Sequence, residues 1–248
     1  MSTPTIPKIV HVSWNDKDLL NSNHDMVKLG IGKLCELNPE WDIQISDDSD
    51  VEEYLRRLLP EDEYKKIKDK HIVQKCDLWR LIKMLFEGGL YIDVDRLCNV
   101  KLDNLFMDHN PAGKSVIQWV LPMCEDHDFS HDFMMSIPGN PAYYHCISMY
   151  LHRMIKRPDD IYYLGAQTYL SAVSRVLLGV PNISLDPKKG MLQAIRSAMD
   201  NHQNVITYRE VPPYDTITYQ GPITKVDHEE MKRDFYAQSG LKHWTGEW

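Results

Sequence analysis

The chain has 248 residues, 43% of them hydrophobic, which is long enough for one sizeable α/β core. With 28 basic and 36 acidic residues its formal net charge is −8, which argues against a nucleic-acid surface or an anionic membrane as the main partner. The five cysteines show no paired framework, so reduced thiols are favoured. We therefore expect a single α/β domain over residues 1–248.

The beginning of the chain shows no targeting signal. Residues 1–7 lack the basic region and apolar run of a signal peptide, and no run of about twenty apolar residues occurs elsewhere. These features predict a protein without a transmembrane segment. We expect a cytoplasmic location, in a bacterium or in the host cell if the source is viral.

Strands and helices alternate in the first part of the chain. The predicted elements are a strand over 6–14, a helix over 25–37, a strand around 41–45 and a helix from about 50 to 59. Asn38 and Pro39 end the first helix, and Ser49 with Glu52 suggests a capping box for the second. The mixed charges of residues 61–70 are typical of a solvated helical face.

The stretch from 72 to 95 carries the clearest pattern. Apolar residues recur every three or four positions over 72–86, which predicts an amphipathic helix with one buried face. Asp77 and Arg80 lie together on another face, three residues apart, so their side chains can reach each other or a shared ligand. Gly88 and Gly89 then supply the left-handed residues that end a helix.

A strand carrying two carboxylates follows. In residues 90–95, Tyr91, Asp93 and Asp95 point one way while the intervening apolar residues point into a core. Two carboxylates facing one spot repel each other, so the pair invites a divalent cation or a cationic partner. Their hard oxygens suit Mg²⁺ or Mn²⁺ with substrate phosphates. An Asp-x-Asp by itself is a weak signal, since most copies are turn residues.

The second half of the chain is less regular. We expect strands at 115–120, 128–137 and 204–208, a helix from Pro141 to about 155, and a turn at Gly165. Cys124, His127 and His131 could suggest zinc, but no second cysteine pair accompanies them.

The central residues match a known pattern, an Asp-x-x-Arg helix followed by Gly-Gly-x-Tyr-x-Asp-x-Asp. Here the matching positions are Asp77, Arg80, Gly88, Gly89, Tyr91, Asp93 and Asp95. This pattern resembles the glycosyltransferases with a DXD-containing sugar-binding region, which include yeast Golgi initiating α-mannosyltransferases, bacterial and viral relatives and the core of glucosylating clostridial toxins. The resemblance implies an α/β fold of GT-A type, a single domain with a mixed central sheet flanked by helices. Residues from about 1 to 100 would form its nucleotide-binding half and those from about 101 to 248 its acceptor-side half.

Three further segments match the same family. The resemblance implies that Trp14 stacks on the nucleotide base with His11 near the same pocket, and that Asp132 contacts the donor sugar. His131 replaces the Asn usual before this Asp. At the C-terminus, the resemblance implies His243 as an added metal ligand and Trp248 as a donor to the diphosphate. The residues alone favour Trp14 as a core aromatic and His11 as a satisfied strand histidine. They likewise favour the terminal aromatics as a hydrophobic clasp or a disordered tail.

The implied activity is metal-dependent transfer of a hexose from a UDP- or GDP-sugar to a glycan or another hydroxyl acceptor, with retention of configuration. Asp95, with Asp93 and His243, would hold Mn²⁺ or Mg²⁺, and Tyr91, Arg80 and Asp77 would bind the donor. A front-face displacement is the economical mechanism. Two alternatives stay open: a metal-dependent phosphohydrolase or nucleotidyltransferase, and a non-catalytic carbohydrate-binding relative.

Overall fold

The protein is described by a computed structural model. It describes residues 5–21, 25–96, 98, 100–105, 119–120, 131–156, 165–178, 205–206, 230, 233–234 and 237. The zinc alternative at Cys124 and His127, and the C-terminal predictions for His243 and Trp248, lie outside the described residues. The division into two halves stays a prediction.

Six strands among the described residues form one mixed sheet. They are β1 (Ile9–Ser13), β2 (Asp42–Ser46), β3 (Gly89–Ile92), β4 (Trp119–Val120), β5 (Phe133–Ser136) and β6 (Val205–Ile206). Their order across the sheet is β2-β1-β3-β5-β4-β6. Strand β1 is parallel to both β2 and β3, β5 is antiparallel to both β3 and β4, and β6 is parallel to β4. The direction of the sheet therefore changes between β3 and β5.

Helices cover both faces of this sheet. They are α1 (Asp25–Leu37), α2 (Asp48–Leu58), α3 (Glu61–Ile67), α4 (Ile72–Phe86), α5 (Pro141–Lys156) and α6 (Ala166–Leu178), with short 3-10 helices at Leu19–Asn21 and Leu102–Leu105. The arrangement confirms the predicted α/β fold with a mixed central sheet flanked by helices. None of the helices in the described part of the chain is long and apolar enough to cross a membrane.

The core has two layers, one on each face of the sheet. On one face Tyr91 and Met134 pack against helices α2, α4, α5 and α6. On the other, Leu90 and Met135 pack with residues of β1, α1 and the 3-10 helix at Leu102–Leu105. Adjacent strand residues enter opposite layers because side chains alternate across a strand, so β3 is buried on both sides.

The turn from α4 into β3 depends on the two predicted glycines. Gly88 and Gly89 have φ angles of 67° and 88°. A Cβ on Gly89 would lie 2.4 Å from the backbone oxygen of Ile9, and one on Gly88 would lie 2.6 Å from the backbone nitrogen of Pro138. Only glycine combines this left-handed backbone with such close approach to two neighbouring segments.

The second helix begins earlier than the sequence suggested. Asp47 is the N-cap of α2, and its side chain accepts from the backbone N–H of Asp50, whose carboxylate accepts in return from Asp47. The capping box is therefore Asp47 with Asp50, and the prediction of Ser49 with Glu52 was wrong. An Asp at N3 closes the box as a Glu would, and the Ser49 hydroxyl donates to Asp47 instead.

Helix α4 is buried more widely than one amphipathic face. Asp77 and Arg80 are buried together with Leu78, Trp79 and Leu81, because α2 and α5 both pack against α4 while it lies on the sheet. Phe86, the last apolar residue of the pattern over 72–86 that predicted a buried face, is instead 62% exposed at the end of the helix.

Candidate active site

The two carboxylates of the Asp-x-Asp motif lie just beyond β3. The strand ends at Ile92, and residues 93–96 form a turn in which the backbone N–H of Arg96 donates to the carbonyl of Asp93 at 3.0 Å. The prediction of a strand continuing to residue 95 was wrong. Asp95 is consequently oriented by this turn and not by the strand's alternation.

Arg80 is the centre of the site. Its guanidinium contacts two carboxylates, Asp77 Oδ1 at 2.9 Å and Asp93 Oδ1 at 3.0 Å, and donates to the carbonyl of His131 at 3.2 Å. The guanidinium carbon also lies 4.5 Å from the centre of the Tyr91 ring. The predicted contact between Asp77 and Arg80 is confirmed, and Arg80 joins α4 to the end of β3 and to the segment before β5.

Burial and neighbouring charges together determine the ionisation of Arg80 and Asp77. Burial alone would lower the pKa of Arg80, but Asp93, Tyr91 and Asp77 raise it above its ordinary value. Burial alone would raise the pKa of Asp77, but Arg80 and then His131 bring it below the usual range. Both side chains are therefore charged at neutral pH, held at fixed positions and shielded from water.

Tyr91 lies beneath the Asp-x-Asp motif. Its side chain is buried, and its hydroxyl donates to Asp93 Oδ1 at 2.5 Å. Burial, with the nearby charge of Asp93, raises the pKa of Tyr91 well above its ordinary value. The phenol is thus a hydrogen-bond donor across the physiological range, and it orients the first carboxylate of the motif.

The surroundings of Asp93 favour its charged form less than those of Asp77 do. Its pKa is raised, first by burial and then by the neighbouring charges of Asp95 and Asp132, although Arg80 opposes these effects. Its side chain remains 30% exposed, against 13% for Asp95. Part of the Asp93 side chain therefore reaches the surface.

Arg96 connects the motif to the beginning of β5. Its Nη2 lies 2.5 Å from Asp132 Oδ2, and its Nε lies 3.9 Å from Asp95 Oδ1. The backbone also joins these segments, since the N–H of Asp93 donates to the carbonyl of Asp132 at 2.9 Å. The structure thus brings Asp132 to the same cluster as the two motif carboxylates.

His131 and Gly165 surround Asp77 on its other side. The Nε2 atom of His131 lies 3.4 Å from Asp77 Oδ1. A Cβ on Gly165 would lie 2.6 Å from that Nε2 and 3.2 Å from Asp77 Oδ2. The absence of a side chain at Gly165 therefore leaves room for the imidazole to approach the carboxylate.

His11 and Trp14 lie on and after β1. His11 is fully buried, and its Nε2–H donates to the carbonyl of Gly88 at 3.0 Å, so it supports the glycine turn from below. Burial, with the positive charge of Lys83, lowers the pKa of His11 to about 4. Trp14 is partly buried against the sheet's second layer. Their roles in nucleotide binding stay predictions.

Asp93 and Asp95 are the candidate ligands for a divalent cation among the described residues. The described residues hold no group of three or more His, Cys, Asp and Glu side chains suited to a metal. The cluster does combine four carboxylates with two guanidiniums, which leaves an excess of negative charge. The pKa of Asp93 is raised by burial and then by the charges of Asp95 and Asp132. Asp93 and Asp95 would therefore suit Mg²⁺ or Mn²⁺ whose remaining ligands come from phosphates, water or residues outside the described part.

Three residues that contribute to this cluster, Arg96, His131 and Gly165, had no predicted role in it. Arg96 directly follows the two carboxylates of the motif, and a cation at that position was a usable signal. The His131 side chain and Gly165 meet Asp77 only through tertiary structure, so their spacing along the chain carried no such signal.

Comparison with known proteins agrees with this geometry. A family model described as the glycosyltransferase sugar-binding region containing the DXD motif matches residues 24–111. Mannosyl phosphorylinositol ceramide synthase SUR1 of Saccharomyces cerevisiae is 24% identical over 177 residues, 71% of this chain and 41% of that protein. Inositol phosphoceramide mannosyltransferase 3 of Schizosaccharomyces pombe is 24% identical over 152 residues, 56% of this chain and 39% of that protein. The chain spans about two fifths of the length of these curated relatives.

Among solved structures, PaToxG glycosyltransferase resembles the chain with a TM-score of 0.52 at 15% identity, covering 97% of this chain and 90% of that one. This likeness concerns the fold, and it agrees with the GT-A arrangement of a mixed sheet between helices. The family match spans α4, the glycine turn and the Asp-x-Asp motif. Over residues 24–111 the chain is therefore similar to the glycosyltransferases with a DXD-containing sugar-binding region.

Proposed function

We propose that this protein is a divalent-metal-dependent glycosyltransferase that moves a hexose from a nucleoside-diphosphate sugar to a hydroxyl of a glycan or another acceptor. The observation that carries the proposal is the Arg80 guanidinium, which contacts Asp77 and Asp93 beside Asp95 and Asp132. A phosphohydrolase would need the metal carboxylates but not the buried pair beside them.

The donor sugar would bind against Asp77, Arg80 and Asp132. Asp77 is charged and desolvated, so it is a strong acceptor for sugar hydroxyls, and Arg80 offers donors held in a fixed direction. Such hydroxyl contacts discriminate well among hexoses, because a missing partner leaves a buried charge unsatisfied. One relative is named a mannosyltransferase and the other a mannosyl phosphorylinositol ceramide synthase, so GDP-mannose is the first donor to test.

Asp93 and Asp95 would hold Mn²⁺ or Mg²⁺ at the diphosphate. When bound, the metal supplies Lewis-acid stabilisation of the negative charge that develops on the β-phosphate. Asp93 already offers Oδ1 to Tyr91 and Arg80, which fixes the orientation of its carboxylate. Asp95 is placed beside it by the turn. His243 and Trp248 are proposed to complete this end of the donor site.

The transfer would retain the anomeric configuration by a front-face displacement. The bond between the anomeric carbon and the β-phosphate oxygen breaks, and the acceptor oxygen bonds to that carbon on the same face. The acceptor's proton passes to the departing phosphate oxygen. Asp77 and Asp93 are held by Arg80, and Asp132 is held by Arg96, which makes each a binding group. Trapping a glycosyl-enzyme on any carboxylate would contradict this mechanism.

A donor panel tests the proposal. Nucleotide release from UDP- and GDP-hexoses is measured with Mn²⁺, with Mg²⁺ and with chelator, for the native protein, Asp95→Asn and Asp69→Asn. Asp69 is an exposed acid outside the site, so Asp69→Asn makes the same chemical change as a control. We expect metal-dependent turnover of one donor that Asp95→Asn abolishes and Asp69→Asn preserves. Turnover unaffected by chelator, or release of phosphate from nucleotides without a sugar, would overturn the proposal.

A further inference from the structure

The guanidinium of Arg96 lies among the carboxylates of the proposed metal and sugar sites. It pairs with Asp132 Oδ2 at 2.5 Å through Nη2, and its Nε is 3.9 Å from Asp95 Oδ1. The Arg96 side chain is 19% exposed, against 6% for Asp132 and 13% for Asp95. The cation is therefore mostly withdrawn from solvent, where its field is weakly screened.

The backbone fixes the segment that carries this cation. The N–H of Arg96 donates to the carbonyl of Asp93 at 3.0 Å, and the N–H of Asp93 donates to the carbonyl of Asp132 at 2.9 Å. Both a backbone hydrogen bond and a side-chain ion pair therefore connect the turn at residues 93–96 to Asp132, the residue directly before β5. Arg96 is held beside the carboxylates and is not a freely rotating surface residue.

The two arginines of the cluster, Arg80 and Arg96, contact different carboxylates. Arg80 contacts Asp77 and Asp93, whereas Arg96 contacts Asp132 and lies beside Asp95. A divalent cation placed at Asp95 would therefore bind in the repulsive field of the Arg96 guanidinium. The negative charge of a bound diphosphate would offset that field.

We propose that Arg96 is the internal counter-ion of the Asp-x-Asp turn, and that it makes tight metal binding depend on the donor diphosphate. Without a nucleotide, the guanidinium neutralises part of the charge of Asp95 and Asp132 and weakens the affinity for the bare cation. With a nucleotide, the diphosphate balances the guanidinium and the metal binds with it. Metal and donor thus enter the site as a coupled pair. This inference rests on the proposed function.

Calorimetric titration tests the coupling without relying on turnover. The affinity for Mn²⁺ is measured alone, and again with saturating UDP or GDP, for the native protein and for Arg96→Gln. In Arg96→Gln we expect Mn²⁺ alone to bind at least about fivefold more tightly, since a unit charge has been removed beside the ligand. The factor by which the nucleotide tightens Mn²⁺ binding should shrink by the same amount. By reciprocity, Mn²⁺ should then enhance nucleotide binding less in the variant.

Two further variants serve as controls. One distinguishes the charge of Arg96 from the shape of its side chain, and the other distinguishes this local charge from the net charge of the protein. Arg96→Lys keeps the positive charge and should stay close to the native protein in Mn²⁺ affinity. Lys33→Gln removes a positive charge from the exposed face of α1 and should also leave it unchanged. Thermal unfolding of each variant, followed by circular dichroism, checks that the fold is retained.

The outcomes separate this inference from the proposed function. If the native protein binds Mn²⁺ with nucleotide, but Arg96→Gln binds bare Mn²⁺ no more tightly than the native protein does, the inference is overturned and the proposed function stands. If neither protein binds Mn²⁺ even with UDP or GDP, the metal-dependent function fails and the inference fails with it. An equal gain in Lys33→Gln would also overturn it, because the effect would then reflect net charge alone.

Discussion

Arg80 and Asp93 form an ion pair of 3.0 Å that joins helix α4 to the residue directly after β3. The same guanidinium contacts Asp77 within its own helix at 2.9 Å. The two acids share one cation, yet the fold treats their charges differently. The pKa of Asp77 is lowered, whereas that of Asp93 is raised.

This difference predicts opposite effects of neutralising the two acids. The fold favours the charged form of Asp77, so Asp77→Asn should lower the free energy of unfolding at pH 7 by about 1–3 kcal/mol. The fold disfavours the charged form of Asp93, so Asp93→Asn should leave that free energy unchanged or raise it. Urea denaturation monitored by fluorescence measures both.

Activity should not follow stability in these variants. Both substitutions remove a carboxylate from the proposed donor site, so both should reduce nucleotide release by at least about tenfold. A stabilised and inactive Asp93→Asn would mean that this charge is kept for function at a cost in stability. Equal destabilisation by the two variants would contradict the assignment of the pKa shifts.

His11 should make the stability depend on pH in mild acid. Its pKa falls from 6.5 to about 4 in the fold, mainly through burial and then through Lys83. Between these values the unfolded chain binds more protons than the fold does, so the free energy of unfolding should decrease as pH falls from 6.5 to 4 and level off below. The largest decrease should be about 3 kcal/mol. Denaturation of the native protein and His11→Gln at a series of pH values isolates this contribution.

In the turn from α4 into β3, replacing Gly89 with Ala should greatly lower the free energy of unfolding, although it adds only one methyl group. Gly89→Ala must adopt a φ of 88° and place its Cβ 2.4 Å from the Ile9 carbonyl oxygen. The strain alone should cost about 1–3 kcal/mol, and the backbone contact adds to it. Gly32→Ala is the control, because a Cβ there meets nothing within 4 Å in the middle of α1. We expect it to stabilise the protein by about 0.5–1 kcal/mol. Thermal unfolding of the two variants measures both effects.

Gly165→Ala should act locally. A Cβ at this position would lie 2.6 Å from His131 Nε2, a side-chain atom that can rotate away, so the fold should hold. The displaced imidazole would no longer support Asp77, and the donor KM should rise with little change in the melting temperature. Adding His131→Ala should remove most of the further effect of Gly165→Ala, because the clash partner is then absent. A similar KM effect with and without the imidazole would contradict this explanation.

Local patterns predicted much of the fold around the site. Helix α4, its glycine stop and the contact between Asp77 and Arg80 follow from periodicity and spacing along one segment. The buried width of α4 did not follow, because it depends on α2 and α5 packing against faces that look polar in the sequence. Likewise, the pairing of Arg96 with Asp132 depends on the register between two strands separated by a long stretch of chain. No periodicity within either strand specifies that register.

The antiparallel pairing of β3 with β5 has a consequence for how this site can vary. Ile92 lies opposite Phe133, and each strand is continued by one acid of the cluster, Asp93 and Asp132. The register of the pairing between β3 and β5 therefore sets the distance between these two acids, and the length of the chain between the strands does not. Insertions or deletions between the strands can leave the acids in place. A one-residue slip of β5 would put a different residue opposite Arg96 and separate the metal carboxylates from the sugar carboxylate.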